Sequence, residues 1–257
     1  MSIQLPPLDE PRLLLEVKMQ PVQGNRFQPT GFPDLGPALY TAPEDGQHLI
    51  VESAQSMANR LETVCWDDVT NDWQTPLQGL PYVRVNDENG NFLTNSILEA
   101  HRLNSPYIEK AEKGKAHELL KQRMDFDKSR PTVSSKFYKS IFHFDPNSLV
   151  HGCFLESIAG RLRCARALTA FIDARNVEVV ASGGVKNDRI NPGKKDDGKG
   201  AKEGFGNVPF HREEFCGEIT AYFNLDIAQI RGYRLGEAAT QLLIALALFK
   251  IRRLIDN

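Results

Sequence analysis

The residues best suited to chemistry in this chain are cationic and amide side chains set beside glycines and aromatics. Ser53-Ala54-Gln55-Ser56 precedes Asn59 and Arg60. At helical spacing Gln55 and Asn59 share one face, and Ser56 and Arg60 share the adjacent line. A helix that starts at such a cap offers free N–H groups and a positive dipole end to an anion; an ordinary N-cap on a surface helix uses the same residues. Arg26, Phe27 and Gln28 stand in a Gly- and Pro-rich stretch over 23–37. Gly183–Gly206 holds seven glycines, with Lys186, Arg189, Lys194, Lys195, Lys199 and Lys202 outnumbering the acids. A glycine backbone of that kind can follow a phosphate chain closely and bond its oxygens. It is equally the composition of a mobile loop. Phe27 and Phe32 in the first stretch, and Phe205 and Phe210 in the second, are rings on which bases could stack or which could fold back onto a core.

Other patterns are weaker. Gly193-Lys194-Lys195-Asp196-Asp197-Gly198-Lys199-Gly200 nearly matches a nucleotide phosphate loop, but Gly200 stands where Ser or Thr must hold magnesium. The histidines have neither H-x-x-x-H nor HExxH spacing, so no zinc site is expected. His143, His151 and His211 are the candidates for general acid–base work, and Asp145 joins His143 and His211 as a candidate for acting on RNA. Cys65, Cys153, Cys164 and Cys216 form no C-x-x-C pair and read as free, buried thiols of a reducing compartment.

Positioning these groups requires a mixed set of elements. Arg12–Met19 reads as a strand, Leu49–Val51 as a short apolar approach, and Ala54–Val64 as a helix with Met57, Leu61 and Val64 inward. Residues 66–79 are acidic and read as irregular. Tyr82–Asn86 and Leu149–Leu155 read as strands. Ile97–Ile108, Lys115–Phe126 and Ser134–Phe144 read as helices. Arg161–Ile172 reads as an amphipathic helix, opened by Arg161, Arg163 and Arg166, whose charges oppose the dipole unless an anion offsets them. Asn176–Ala181 reads as a strand, Ser182–Phe210 as a loop, Glu218–Leu225 as an alternating strand, and Gly236–Ile255 as the longest helix. The order predicts an α+β fold.

The 257 residues carry 31 Lys and Arg against 33 Asp and Glu, a formal charge of −2 that by itself argues against a nucleic-acid partner. The charge is unevenly spread: residues 1–100 hold 5 basic and 14 acidic residues, and the surplus of base lies beyond them. The acidic stretch Asp67–Glu99 is expected to face away from RNA, toward a basic neighbour. No apolar run is long enough for a bilayer, and the N-terminus lacks the basic and apolar regions of a leader, so a cytoplasmic protein with no membrane partner is expected.

Taken together, three segments resemble the Cascade backbone subunit of type I-G (formerly I-U) CRISPR systems. They are Pro21–Gly36 (PVQGNRFQPTGFPDLG) with Val51–Glu62, Ser182–Arg189 with Gly204–Arg212, and Ile219–Asp226. The resemblance covers nearly the whole chain. It implies a RAMP-superfamily protein whose core is RRM-like (ferredoxin-like), here one domain over 1–257 with a helical insertion at about 100–145 and a loop or thumb at about 182–212. In other type I backbone subunits a Ser-Ser-Gln-Ser helix start contacts the guide; Ala54 replaces one of those serines here. The family usually continues beyond the last helix, whereas this sequence ends at Asn257.

The implied function is a non-catalytic subunit that coats the guide-RNA spacer head to tail with copies of itself. It would present the guide for pairing with target DNA and assemble with other Cascade subunits in antiviral defence, without cofactor or metal. The implied RNA-binding set is Arg26, Phe27, Gln28, Ser53, Gln55, Ser56, Asn59, Arg60, Arg161, Arg163, Lys186, Asn187, Arg189, Phe205, Asn207, His211 and Arg212. The alternative is a RAMP-type endoribonuclease acting on CRISPR RNA or target RNA.

Overall fold

A computed structural model describes residues 9–30, 36–43, 46–158, 160, 162–187, 189 and 207–256. In chain order the elements are β1 (Arg12–Met19), β2 (Leu39–Ala42), β3 (Gly46–Glu52) and α1 (Ala54–Thr63). Then come β4 (Trp66–Asp67), β5 (Asp72–Trp73), β6 (Arg84–Asn86), β7 (Phe92–Asn95), α2 (Pro106–Lys110), α3 (Lys115–Met124), α4 (Ser134–Phe144) and α5 (Asn147–His151). The rest are β8 (Cys153–Leu155), β9 (Leu162–Cys164), β10 (Leu168–Asn187), β11 (Asn207–Asp226), α6 (Ile227–Gly232) and α7 (Glu237–Asp256). The fold is mixed α/β. Its main sheet has five strands in the order β1-β11-β10-β3-β2, and β3 pairs antiparallel with both β10 and β2.

Two compact units interleave along the chain. The first holds 1–16, 53–171 and 222–257 and contains the helices found among the described residues. Its core is apolar side chains of α1, α3, α4 and α7, such as Met57, Leu61, Leu120, Ile141, Leu243 and Ile251. The second holds 17–52 and 172–221. Its core is Leu49, Ala174, Val177, Phe215 and Ile219, with Phe27, Leu39, Val51 and Ile172 packed on it.

Several expectations are corrected by tertiary context. Arg161–Ile172 is not a helix: Leu162–Cys164 and the start of β10 are strands. Leu162 and Cys164 are buried and Arg163 exposed, a period of two that the helical reading of the same apolar residues overlooks. Cys164 pairs with Cys153 in the β8–β9 hairpin. Leu149–Leu155 is not one strand, because α5 ends at Gly152, whose φ of +81° only glycine adopts freely. A Cβ at Gly152 would also lie 2.9 Å from the Cys164 carbonyl.

Ile97–Ile108 is not a continuous helix. Asn95 Oδ1 accepts the Ile97 and Leu98 N–H groups in a turn, and Pro106 starts a new helix capped by Ser105. Residues 66–79 hold the β4–β5 hairpin, and Phe92–Asn95 adds a strand beside β6. Asp67 and Asp87 use their carboxylates to accept backbone N–H bonds in the turns that follow them. The Ser182–Phe210 loop is shorter than expected, since β10 continues to Asn187 and β11 begins at Asn207. Gly183 lets the two strands approach there: an added Cβ would lie 2.5 Å from the Phe210 carbonyl. Residues 190–206, including the near-match to a phosphate loop, lie outside the described residues.

A buried polar network ties α1, the turn before α2, α5 and α7. Glu62 takes two bonds from Arg102, at 2.6 and 2.7 Å, and one from Asn147 at 2.6 Å. Lys250, fully buried, donates to Asn147 Oδ1 at 2.7 Å. Removing one partner strands a charge in the interior, which costs about 3–5 kcal/mol. Arg102→Met is therefore expected to lower unfolding stability by about that amount in urea titrations, whereas Arg252→Met on exposed α7 surface changes it by less than about 1 kcal/mol.

Candidate nucleic-acid interface

In the second unit the fold unites segments far apart in sequence. Phe27 exchanges backbone bonds of 2.9 Å in both directions with Phe215. Gln28 Nε2 donates to the Glu213 carbonyl at 3.2 Å. Thr30 is anchored to β3 through the Val51 carbonyl and the Glu52 carboxylate. Gln28, His211, Arg212 and Glu213 thereby line one open pocket of about 330 Å³. Arg26 and Arg212 both pair with Glu214, Arg26 at 2.7 Å. The Arg212 bond, followed by the Arg26 charge, holds the Glu214 carboxyl below its usual range. Glu214 offsets one of the two positive charges, yet Arg26 and Arg212 remain 58% and 50% exposed, so each guanidinium keeps donors facing solvent.

The half-buried ring of Phe27 packs on the core of this unit. Lys186 is exposed on β10, and Arg189 is exposed just beyond it. His211 and Arg212 are exposed on β11. Asn187 ends β10 and Asn207 begins β11. Arg161 and Phe205 lie outside the described residues.

In the first unit Ser53 caps α1, its Oγ accepting the Ser56 N–H at 3.4 Å. Gln55, Asn59 and Arg60 are exposed and Ser56 is half-buried, so the helix start presents its polar edge while Met57, Ala58 and Leu61 fill the core. Arg163 is exposed on β9, its guanidinium 5.4 Å above the Phe154 ring. Arg163 is thus displayed by a hairpin and not by a helix start, which removes the dipole argument while leaving the cation. Sequence reasoning missed the position of Arg166, whose Nη1 donates to the Ala54 carbonyl at 3.3 Å in the first turn of α1. No local signal links residues 54 and 166; only the packing of the hairpin does.

The acid–base candidates are placed unequally. His143 is exposed on α4, whereas its neighbour in sequence Asp145 is fully buried and accepts a 2.7 Å bond from Ser148. Burial pushes the Asp145 carboxyl up to about 6, against the Ser148 bond and aided by the Glu62 charge. Its burial keeps it from a bound polymer. Among the described residues no group of three or more His, Cys, Asp or Glu could hold a metal ion, and no helix is long and apolar enough to cross a membrane.

The family model for CRISPR-associated protein GSU0053 matches residues 13–179. The chain belongs to that family of CRISPR-associated proteins. Among solved structures, a chain titled "CRISPR RNA-guided surveillance complex, pre-nicking" is similar at 10% identity and a TM-score of 0.48, over 93% of this chain and 70% of that one. No curated protein matches the chain.

Asp145 supplies a pH test. A carboxyl whose folded pKa is raised binds its proton more tightly in the native state, so the stability it contributes is full below about pH 4 and is lost as pH rises through about 6. Asp145→Asn is expected to remove this loss, making the variant more stable than the parent at pH 7 by up to about 3 kcal/mol, with the difference shrinking toward pH 4. Urea midpoints measured from pH 4 to 8 check it.

Proposed function

We propose that the chain is a non-catalytic guide-RNA-binding backbone subunit of a type I Cascade effector. The observation that carries the reading is the convergence of Gln28 with His211 and Arg212 in one open pocket, Gln28 bonding the Glu213 carbonyl across 185 residues of sequence, with Arg26 nearby on Glu214. Exposed guanidinium and amide donors suit a phosphate backbone, which supplies affinity but no sequence information. A guide carrier needs that division, because base pairing must do the reading. The polar edge of α1, with Ser53, Gln55, Ser56, Asn59 and Arg60, and the β10–β11 arm with Lys186 and Arg189 extend the same chemistry.

The topology is also in keeping with an RRM-like RAMP core. β1, α1, β10, β11 and α7 follow one another as strand–helix–strand–strand–helix, and β11 lies between β1 and β10 in the sheet. On this reading the helical segment at about 100–145 is an insertion and the loop or thumb at about 182–212 is borne by the β10–β11 arm. The subunit packs head to tail with its own copies, joins other Cascade subunits in the cytoplasm, and presents the guide to target DNA without cofactor. A head-to-tail assembly uses two different surfaces on each copy, and the acidic stretch Asp67–Glu99 meets a basic surface of a neighbour.

Fluorescence anisotropy with two spacer RNAs of unrelated sequence tests the assignment. Arg60→Ala and Lys186→Ala are expected to weaken both RNAs alike, each reducing the slope of log affinity against log salt by about 1. Parental affinity and slope in both variants would overturn it. Labelled repeat RNA is expected to stay intact with or without magnesium; cleavage that His211→Ala abolishes would establish the endoribonuclease alternative instead.

A further inference from the structure

The β8–β9 hairpin sets two of the chain's four cysteines against each other. Cys153 and Cys164 are partners in its antiparallel register, directly opposite one another. Opposed residues of an antiparallel pair have Cα atoms about 4.5–5.5 Å apart, inside the span of about 4.4–6.8 Å that a disulfide bridges. The two side chains also share a face. Cys153, Leu155, Leu162 and Cys164 are buried, while Phe154 and Arg163 stand on the opposite side, the guanidinium over the ring.

The backbone beside the pair is held closely. Gly152, next to Cys153, comes so near the facing strand that a Cβ there would lie 2.9 Å from the Cys164 carbonyl. Just beyond, Ala167 donates its N–H to the Val150 carbonyl at 2.9 Å. The strands are thus pinned next to the cysteines and not only through the turn that joins them.

Both thiols are free, and removal of the Cys164 hydrogen strands neither of its acceptors. That thiol is placed to donate to the Ala165 carbonyl or to the Tyr233 hydroxyl, each at 3.4 Å. Gln229 Nε2 already donates to those two oxygens, at 2.8 and 2.6 Å. The Tyr233 hydroxyl gives its own hydrogen to the Leu149 carbonyl at 3.0 Å. Cys153 and Cys164 also line an open pocket of about 590 Å³ between the hairpin and the turn before α2, which gives small solutes a way in.

We propose that Cys153 and Cys164 form a reversible disulfide, a redox-sensitive staple across the hairpin, with a peroxide as the oxidant. One thiolate attacks a peroxide oxygen: an S–O bond forms, the O–O bond breaks, and hydroxide leaves to become water. The other thiolate attacks that sulfenic sulfur: the S–S bond forms, the S–O bond breaks, and a second water leaves. Two thiols and one hydrogen peroxide become one disulfide and two waters, the sulfurs losing the two electrons that the peroxide gains. Burial pushes the Cys164 thiol up to about 11 and the Cys153 thiol well above its usual range, so thiolate is scarce at neutral pH and the pair closes slowly, under excess oxidant. The staple needs only the hairpin and does not depend on the guide-RNA reading.

The folded full chain, treated with hydrogen peroxide, quenched with catalase and alkylated in denaturant, is mapped by peptide mass. Two of the four cysteines are expected to escape alkylation, joined as a Cys153–Cys164 cross-link that a dithiol reductant reopens. The cross-link is expected in lower yield when the chain is oxidised in urea, where the hairpin is lost. The oxidised chain is expected to unfold about 5 °C or more above the reduced one, because the bridge restricts the unfolded chain. Cys216→Ser is expected to cross-link as the parent does, and Cys153→Ala to show neither cross-link nor shift. Should Cys153→Ala fail to fold, Cys164→Ala serves in its place, and the map of the parent chain decides without either.

Four alkylated cysteines after oxidation would overturn the proposal. So would a cross-link through Cys65 or Cys216, sulfinic acid at Cys153 or Cys164 without a cross-link, equal yields from folded and urea-unfolded chain, or a cross-link that leaves the midpoint unchanged or lower.

Discussion

The buried charge network around Glu62 is the constraint on which the rest of the first unit depends. Glu62 closes α1, Arg102 comes from a turn, Asn147 from α5 and Lys250 from α7. Burying these groups is costly unless every one is paired, so the network admits one arrangement of four chain segments. Once Arg102 is drawn inward to Glu62, it bends the chain into the turn that replaces an expected helix, and its φ of 53° shows the local departure this requires. The same contact fixes where α1 lies, and with it the direction in which Ser53, Gln55 and Arg60 point.

Placement of α1 then governs the exposed chemistry. Met57, Ala58 and Leu61 take the inward face, leaving Gln55, Asn59 and Arg60 on the outward one. In the second unit an apolar core does the equivalent work. Phe27 and Phe215 share backbone bonds and packing, so Arg26 and Gln28 are carried to β11 as flanking residues of a core ring. Arg26, Gln28 and Arg60 are thus positioned by neighbouring side chains that are buried or half-buried.

Much of the architecture was legible in local pattern. The strict alternation of Glu218–Leu225, the Ser53 cap before Met57 and Leu61, and the long apolar run after Gly236 each correspond to an element in the expected place. Arg163 shows where local pattern fails. Its segment suits a helix by spacing, but Leu162 and Cys164 gain more by pairing across β8, a partner that the segment itself does not encode. Leu149–His151 erred in the opposite direction, because a continuous apolar run cannot tell a buried helix from a buried strand.

What the sequence by itself determined is the inventory: the cations and amides, the helix that carries Ser53 to Arg60, the strands that alternate, and membership in a CRISPR-associated family. Which of those side chains stand together was decided only by the tertiary structure. Gln28 meets Glu213, Arg166 reaches Ala54, and His151 sits without a partner among arginines because long-range pairing and burial, not neighbouring residues, set those distances. Local propensity acts over a few residues, whereas convergence at a site needs contacts across a hundred or more, and only a packed core supplies the free energy to hold them.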